Sequence, residues 1–119
     1  MARLLIAEDD KAVRAFVTRA LRQEGHDIMA VNDGLAALEA LAKGGYALLL
    51  SDIVMPRLDG IALALKVASD HPDLPILLMT GYAAERQRAH DLDVMIHDVI
   101  TKPFTLDQIR NATSRSLCQ

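Results

Sequence analysis

The sequence predicts an α/β fold, a doubly wound parallel sheet of five strands with helices on both faces. Short apolar segments alternate along the 119 residues with segments whose apolar residues recur at helical spacing. The apolar segment at residues 47–50 is too short for a helix and is typical of a strand buried on both faces. Because parallel strands need crossover connections, the alternation predicts a parallel sheet with helices on both sides.

The first half of the chain predicts three strands and two helices. The strands are expected at residues 3–7, 27–31 and 47–50, the last running into Asp52. The helices are expected at residues 11–24, before Gly25, and between the Asp33-Gly34 cap and Gly44-Gly45. The side chains expected to face the core are Val13, Phe16, Val17, Ala20, Leu21, Leu35, Leu38, Leu41 and Ala42. Those expected to face solvent on the first helix are Arg14, Thr18, Arg19 and Arg22.

The second half of the chain predicts two more strands, at residues 76–80 and 98–101, and three helices. The third helix is expected at residues 60–70, the fourth is a short polar segment at residues 83–90, and a capping box formed by Thr105 and Gln108 opens the fifth. The core-facing side chains are Ile61, Ala64, Leu65, Ala68, Leu106, Ile109, Thr113 and Leu117. Right-handed crossovers favour the flavodoxin-like strand order 2-1-3-4-5.

Bulk properties indicate one domain over residues 1–119, and no output domain is expected after Gln119. No segment has the length of a membrane span or the pattern of a signal peptide, and Cys118 is the sole cysteine, so a cytoplasmic location is expected. The net charge of −3 argues against general binding to nucleic acid.

Chemically functional residues follow the strands of the predicted sheet. Glu8 and Asp9 follow the first strand, Asp52 ends the third, Thr80 ends the fourth, and Lys102 follows the fifth. All these strand ends meet at one edge of a parallel sheet, where open α/β sheets bind ligands. Three clustered carboxylates repel one another unless a cation is present, and hard oxygen ligands suit Mg²⁺.

The central position of Asp52 makes it the candidate nucleophile. A carboxylate attacks phosphorus to give an acyl phosphate, and phosphoryl transfer needs mostly positioning and charge neutralisation. Lys102 and Mg²⁺ would neutralise charge, and Thr80 would donate a hydrogen bond to a phosphoryl oxygen. Taken singly, the same residues have simpler interpretations, with Asp52 as a turn aspartate, the acids after the first strand as a helix cap, and Lys102 as a solvated side chain.

As a set, these motifs resemble the receiver domain of bacterial two-component response regulators over essentially the whole chain. The residues that carry the resemblance are Glu8-Asp9, Asp52, Met55-Pro56, Asp59-Gly60, Thr80-Gly81 and Lys102-Pro103-Phe104. The resemblance implies that Asp52 is the phosphoacceptor, that Glu8, Asp9 and the Val54 carbonyl bind Mg²⁺ with it, and that the bond before Pro103 is cis. It also implies a phosphoacceptor that catalyses only its own phosphorylation and dephosphorylation.

Within this family the sequence is similar to the CpdR-type single-domain regulators. The similar stretches are Leu5-Ile6-Ala7-Glu8-Asp9-Asp10, Leu50-Ser51-Asp52-Ile53-Val54-Met55-Pro56, Met79-Thr80-Gly81-Tyr82-Ala83-Ala84 and Lys102-Pro103-Phe104. The resemblance implies a phosphoryl group from a histidine kinase or histidine phosphotransfer protein, and a role in cell-cycle or regulated-proteolysis control through an AAA+ protease or adaptor. Output is expected through the face from the fourth to the fifth helix, next to Thr80 and Lys102. The nearby arginines either contribute to this face or are simply solvated; they are Arg86, Arg88, Arg110 and Arg115.

Two positions depart from the family pattern. Receiver domains commonly place Tyr or Phe three residues before the lysine, where this chain has Val99. The usual aromatic switch is therefore absent at that position. Tyr82 is either a substitute that changes its packing on phosphorylation or a loop aromatic resting on the surface. Val54, two residues after Asp52, cannot orient an attacking water, which predicts a long-lived acyl phosphate.

Two other functions are compatible with the pattern. One is a Mg²⁺-dependent phosphatase with Asp52 as nucleophile, although the chain has neither a large insertion for a substrate cap nor an Asp two residues after Asp52. The other is a constitutive protein-binding scaffold, which the complete acceptor set disfavours. Turnover of phosphate esters separates the phosphatase from the switch.

Overall fold

The computed structural model describes residues 2–81 and 98–118. Its strands are β1 (Arg3–Ala7), β2 (Asp27–Val31), β3 (Leu48–Asp52), β4 (Ile76–Thr80) and β5 (Asp98–Thr101). Its helices are α1 (Lys11–Gln23), α2 (Gly34–Ala42), α3 (Gly60–Asp70) and α4 (Leu106–Leu117). Helix α4 is the fifth helix predicted from the sequence, because the predicted helix at residues 83–90 lies outside the described residues.

The five strands form one parallel sheet in the order β2-β1-β3-β4-β5, which confirms the predicted fold class and strand order. The register places the last residues of neighbouring strands side by side. Ala7 pairs with Ser51, Asp52 with Met79, and Thr80 with Thr101. The carboxyl ends of the strands therefore form a single edge, and the residues that follow them share the space above it.

Alternating side chains of each central strand enter two separate cores. In β1, Leu4 and Ile6 pack with residues of α1 and α4, whereas Leu5 and Ala7 pack with residues of α2 and α3. The same alternation continues in β3 and β4, whose residues are all buried. Burial on both faces explains why these strands read as continuous apolar segments.

Three large apolar side chains predicted to be buried are exposed instead. Phe16, Leu35 and Leu65 expose 40%, 41% and 44% of their surface. In α3 the buried stripe runs through Leu63 and Val67, which were missing from the predicted set. A helix adjoins the sheet along a strip narrower than its apolar stripe, so the side chains at the stripe's margin remain at the surface. Ala42, at the end of α2, is exposed for the same reason.

Each of the four described helices begins at a polar side chain that accepts hydrogen bonds from the first turn. Asp10, Asp33 and Asp59 cap α1, α2 and α3, respectively. Thr105 and Gln108 form both bonds of the predicted capping box at the start of α4. These caps satisfy amide groups that a helix cannot pair internally, and they fix where each helix leaves the strand edge.

Asp33 also joins two loops at the carboxyl edge. Its Oδ2 accepts a hydrogen bond from Arg57 Nε at 2.9 Å and lies 2.7 Å from Arg57 Nη2, while its Oδ1 caps α2. Arg57 has a left-handed backbone with φ 68, in the loop after β3. The hydrogen bond from Arg57 holds the pKa of Asp33 below its usual value, and the amide of Ala36 lowers it further.

We expect Asp33→Asn to lower the free energy of unfolding at neutral pH, since Asn caps a helix as well as Asp but cannot form the ion pair. The pKa of Asp33 is lower in the folded state, so the ion pair contributes fully above the unfolded-state pKa and is lost as pH falls through the folded-state value. Urea titrations from about pH 7 to about pH 2 should show that the difference in the free energy of unfolding between Asp33→Asn and wild type shrinks as the pH falls.

Asp73→Asn is the matched control, because Asp73 is exposed and has no ion pair with the described residues. A constant difference in the free energy of unfolding between Asp33→Asn and wild type over the whole pH range would contradict the prediction.

Candidate functional site

Three carboxylates meet at the carboxyl edge of the sheet. One oxygen each of Glu8, Asp9 and Asp52 lies within 4.8 Å of the others. Glu8 continues the pairing of β1, since its amide donates to the Val31 carbonyl at 3.0 Å. The structure therefore brings together the three acids that the sequence proposed as metal ligands.

Lys102 reaches this cluster from the loop after β5. Its Nζ donates to Glu8 Oε1 at 2.7 Å and lies 3.2 Å from Asp52 Oδ1. Its amide donates to the Thr80 carbonyl at 2.7 Å, which fixes the lysine backbone beside the end of β4. The peptide bond between Lys102 and Pro103 is cis, as the sequence resemblance implied.

Burial and charge act on Glu8 in opposite directions. Glu8 is fully buried. Desolvation and the neighbouring Asp52 charge raise its pKa to about 7, although the bonds from Lys102 and the Asp10 amide lower it. Burial alone would lower the pKa of Lys102, but its hydrogen bond to Glu8 and the charge of Asp52 raise that pKa above the ordinary value. A single ammonium group therefore compensates the three carboxylates only in part.

The acids open into a cleft of about 790 Å³ between α1 and the loop that precedes α4. Its polar lining consists of Asp9, Asp10, Asp52 and Lys102. Its apolar lining consists of Ala12, Val13, Phe16, Val54, Pro103 and Phe104, with Gly81 beside them. Thr80 is buried one residue before Gly81, at the end of β4. The side chain of Val54 is exposed at the mouth of the cleft, two residues after Asp52.

The aromatic wall of this cleft was not predicted. The rings of Phe16 and Phe104 lie 6.3 Å apart between centroids. Helical spacing placed Phe16 in the core, whereas Phe104 was treated only as part of a motif. Phe16 lies in the second turn of α1, which follows the acidic segment at residues 8–10. This position was the available signal that Phe16 would lie near the carboxyl edge of the sheet.

Several residues expected to act in the switch or in docking lie outside the described residues. They are Tyr82, Arg86 and Arg88. Arg110 lies on the α1 side of α4, where its Nη2 donates to Gln23 at 2.9 Å and its Nε lies 3.2 Å from a Glu24 oxygen. Arg110 is therefore paired with the C-terminal end of α1, and its part in an output face stays a prediction.

The loop after β3 passes very close to the end of that strand. The Gly60 amide donates to the Ile53 carbonyl at 2.8 Å. A Cβ atom at Gly60 would lie 2.1 Å from the Asp52 carbonyl oxygen and 2.8 Å from the Cα of Ile53. Only glycine allows this approach, which holds α3 against the segment that carries the Asp52 carboxylate.

Comparison with known proteins identifies the class. The family model described as the response regulator receiver domain matches residues 4–114. The chain is 38% identical over 117 residues to the response regulator receiver protein CpdR of Brucella abortus, covering 98% of each chain. It is 37% identical over 107 residues to the response regulator MprA of Mycobacterium leprae, where it covers 90% of this chain and 47% of the relative. The chain thus spans about half the length of that relative.

Solved structures agree with this result. The receiver domain of NtrX from Brucella abortus matches with a TM-score of 0.90 and 29% identity, covering 98% of both chains. The chemotaxis response regulator CheY4 of Vibrio cholerae matches with a TM-score of 0.89 and 25% identity over 98% of this chain and 99% of that one. This chain belongs to the response regulator receiver domain family. Within residues 2–81 and 98–118, no helix has the length and hydrophobicity needed to cross a bilayer.

We expect Gly60→Ala to destabilise the fold by about 1–3 kcal/mol, because the added Cβ forces the loop away from the end of β3. Gly81→Ala is the matched control, since within residues 2–81 and 98–118 its Cβ would meet the Cβ of Lys102 at 3.7 Å, an ordinary contact. The control should change stability by less than about 1 kcal/mol. Equal urea midpoints for the two variants would show that the close approach at Gly60 carries no cost.

Proposed function

We propose that this receiver domain is a phosphorylation-gated protein-binding switch that accepts a phosphoryl group on Asp52 from a phosphohistidine donor. The observation that carries the proposal is the position of the Asp52 carboxylate. It lines an open cleft at the end of the central strand, beside the Lys102 ammonium and two further carboxylates. A group transferred to Asp52 would therefore meet compensating charge immediately.

The donor set fits a magnesium ion. Glu8, Asp9 and Asp52 offer only hard oxygen atoms, and Lys102 leaves part of their negative charge uncompensated. These three residues, with the Val54 carbonyl, would hold the ion. Both oxygens of Glu8 already accept hydrogen bonds, from Lys102 and from the Asp10 amide, whereas Asp9 is exposed toward the cleft. Bound Mg²⁺ would neutralise charge on the transferred phosphoryl oxygens.

The oxygen atoms of Asp52 differ in their surroundings. Oδ1 accepts a hydrogen bond from the Ile53 amide at 2.9 Å and lies next to Lys102 Nζ, which leaves Oδ2 for attack. In the transfer, an Oδ2–phosphorus bond forms and the phosphorus–nitrogen bond of the donor histidine breaks. The imidazole nitrogen keeps the electron pair and takes a proton from solvent. Lys102 then neutralises a phosphoryl oxygen, and the Thr80 hydroxyl donates to another.

We also propose that the domain acts without a covalently attached output domain and signals by docking to another protein. Its similarity to CpdR, a relative matched over 98% of its own length, supports this. Under this proposal, a histidine kinase or histidine phosphotransfer protein supplies the phosphoryl group. Cell-cycle or regulated-proteolysis control, with an AAA+ protease or adaptor as partner, follows from the CpdR-type resemblance. The cytoplasmic location, the switch role of Tyr82 and the part of Arg115 in docking stay predictions.

The acceptor assignment is tested by label transfer. Radiolabelled acetyl phosphate with Mg²⁺ should label the wild-type chain, and Asp52→Asn should take up no label because the amide cannot attack phosphorus. Asp10→Asn is the matched control, since Asp10 lines the same cleft and Asn keeps its helix cap. The control should be labelled like wild type. Label on Asp52→Asn would refute the acceptor assignment, and turnover of phosphate esters would indicate a phosphatase instead.

The lifetime of the acyl phosphate tests the role of Val54. Since its apolar side chain lies at the cleft mouth and cannot orient water, we expect the label to persist for minutes or longer after the donor is removed. Val54→Asn should shorten the half-life several-fold, whereas the apolar control Val54→Ala should not. Decay of the wild-type label within seconds would contradict this explanation.

A further inference from the structure

Arg14 of α1 contacts the backbone of the acidic segment. Its Nη1 donates to the Glu8 carbonyl at 2.8 Å and lies 3.5 Å from the Asp9 carbonyl. The sequence predicted that Arg14 faces solvent, but its side chain is only partly exposed and turns back along α1 toward the strand edge. The guanidinium group thus holds the carbonyls on both sides of the Asp9 backbone.

The Asp9 carboxylate has no such support of its own. It is exposed, and among residues 2–81 and 98–118 it forms no hydrogen bond or ion pair. The carboxylates of Glu8 and Asp52, by contrast, are both bonded to Lys102. The backbone of Asp9 therefore determines where its carboxylate lies. In the part of the chain that the structure describes, the side chain outside residues 8–10 that bonds to this backbone is Arg14.

We propose that Arg14 is a positioning residue for cation binding, which holds the Asp9 backbone so that its carboxylate stays within reach of Asp52. This inference rests on the proposed magnesium-dependent function. Groups that orient metal ligands typically change metal affinity by about 10–100-fold when they are removed. Both contacts are made by Nη1, whose two N–H groups face the two adjacent carbonyl oxygens. A guanidinium suits this task because it is more weakly hydrated than an ammonium group and loses less freedom per hydrogen bond.

The charge of Arg14 and its positioning role predict opposite effects on Mg²⁺ affinity when Arg14 is removed. The guanidinium is a positive charge close to a cation site, so it repels the cation. If charge alone mattered, removal of Arg14 would tighten Mg²⁺ binding. If positioning dominates, the freed Asp9 must be ordered when the ion binds, and binding weakens.

The experiment compares Arg14→Met with Arg19→Met by calorimetric titration of Mg²⁺ into the folded, unphosphorylated chain. Arg19 lies on the same helix, is exposed, and makes no hydrogen bond or ion pair with the described residues. Both substitutions remove one positive charge and keep a long apolar side chain. Arg14→Met should weaken Mg²⁺ binding about tenfold. Arg19→Met should leave it unchanged within about twofold, because exposed charges are screened.

Arg14→Lys serves as the second variant. It keeps the charge, but its more strongly hydrated ammonium group on a flexible stem holds the two carbonyls less firmly, so its affinity should fall between wild type and Arg14→Met. If Arg14→Met does not fold, Arg14→Lys decides between positioning and charge. A wild-type Mg²⁺ affinity in Arg14→Lys would then overturn the proposal. Equal or tighter Mg²⁺ binding by folded Arg14→Met also overturns it. Absence of Mg²⁺ binding by wild type would instead refute the proposed function itself, which keeps the two failures distinct.

Discussion

The arrangement of side chains at the carboxyl edge of the sheet depends on how the negative charge of its three acids is compensated. Parallel pairing of β1 with β3 places Glu8 and Asp52 side by side, and Asp9 adds a third carboxylate. Lys102 compensates part of this charge, because its Nζ donates a hydrogen bond to Glu8 and lies 3.2 Å from Asp52 Oδ1. Removing the ammonium group would leave a buried acid without its partner, which is far more costly than losing an exposed pair. Burial, together with the charge of Asp52, raises the pKa of Glu8. The negative charge that Lys102 leaves uncompensated makes the cluster a fitting place for a divalent cation.

Close backbone contacts hold the segment that carries Asp52 above this edge. Gly60 lets α3 approach the Asp52 carbonyl, and Gly34 lets the start of α2 approach Leu58 in the same loop. The ion pair of Asp33 with Arg57 joins these two elements. The Asp52 carboxylate at the end of β3 therefore gains its orientation from backbone packing.

Some features were predictable from short segments of sequence because local patterns determine them. The bounds of β1, β2, β4, β5 and α3 agree with the predicted ranges, since apolar periodicity and turn residues act over a few positions. The capping box at Thr105 was also predictable, because its two bonds join residues only three apart. The burial of Phe16 and Leu65 was predicted wrongly, since periodicity locates an apolar stripe but not the width that the sheet covers.

The sequence by itself determined the alternation of strands and helices, the strand order that short right-handed crossovers favour, and the identity of the acids at the strand ends. These features follow from local preferences and chain connectivity. Only the tertiary structure decided that Lys102 bonds Glu8 across 94 residues, that Arg14 holds the Asp9 backbone, and that Arg110 pairs with Glu24 at the C-terminal cap of α1. Long charged side chains reach many partners, and which one they meet depends on how distant segments pack.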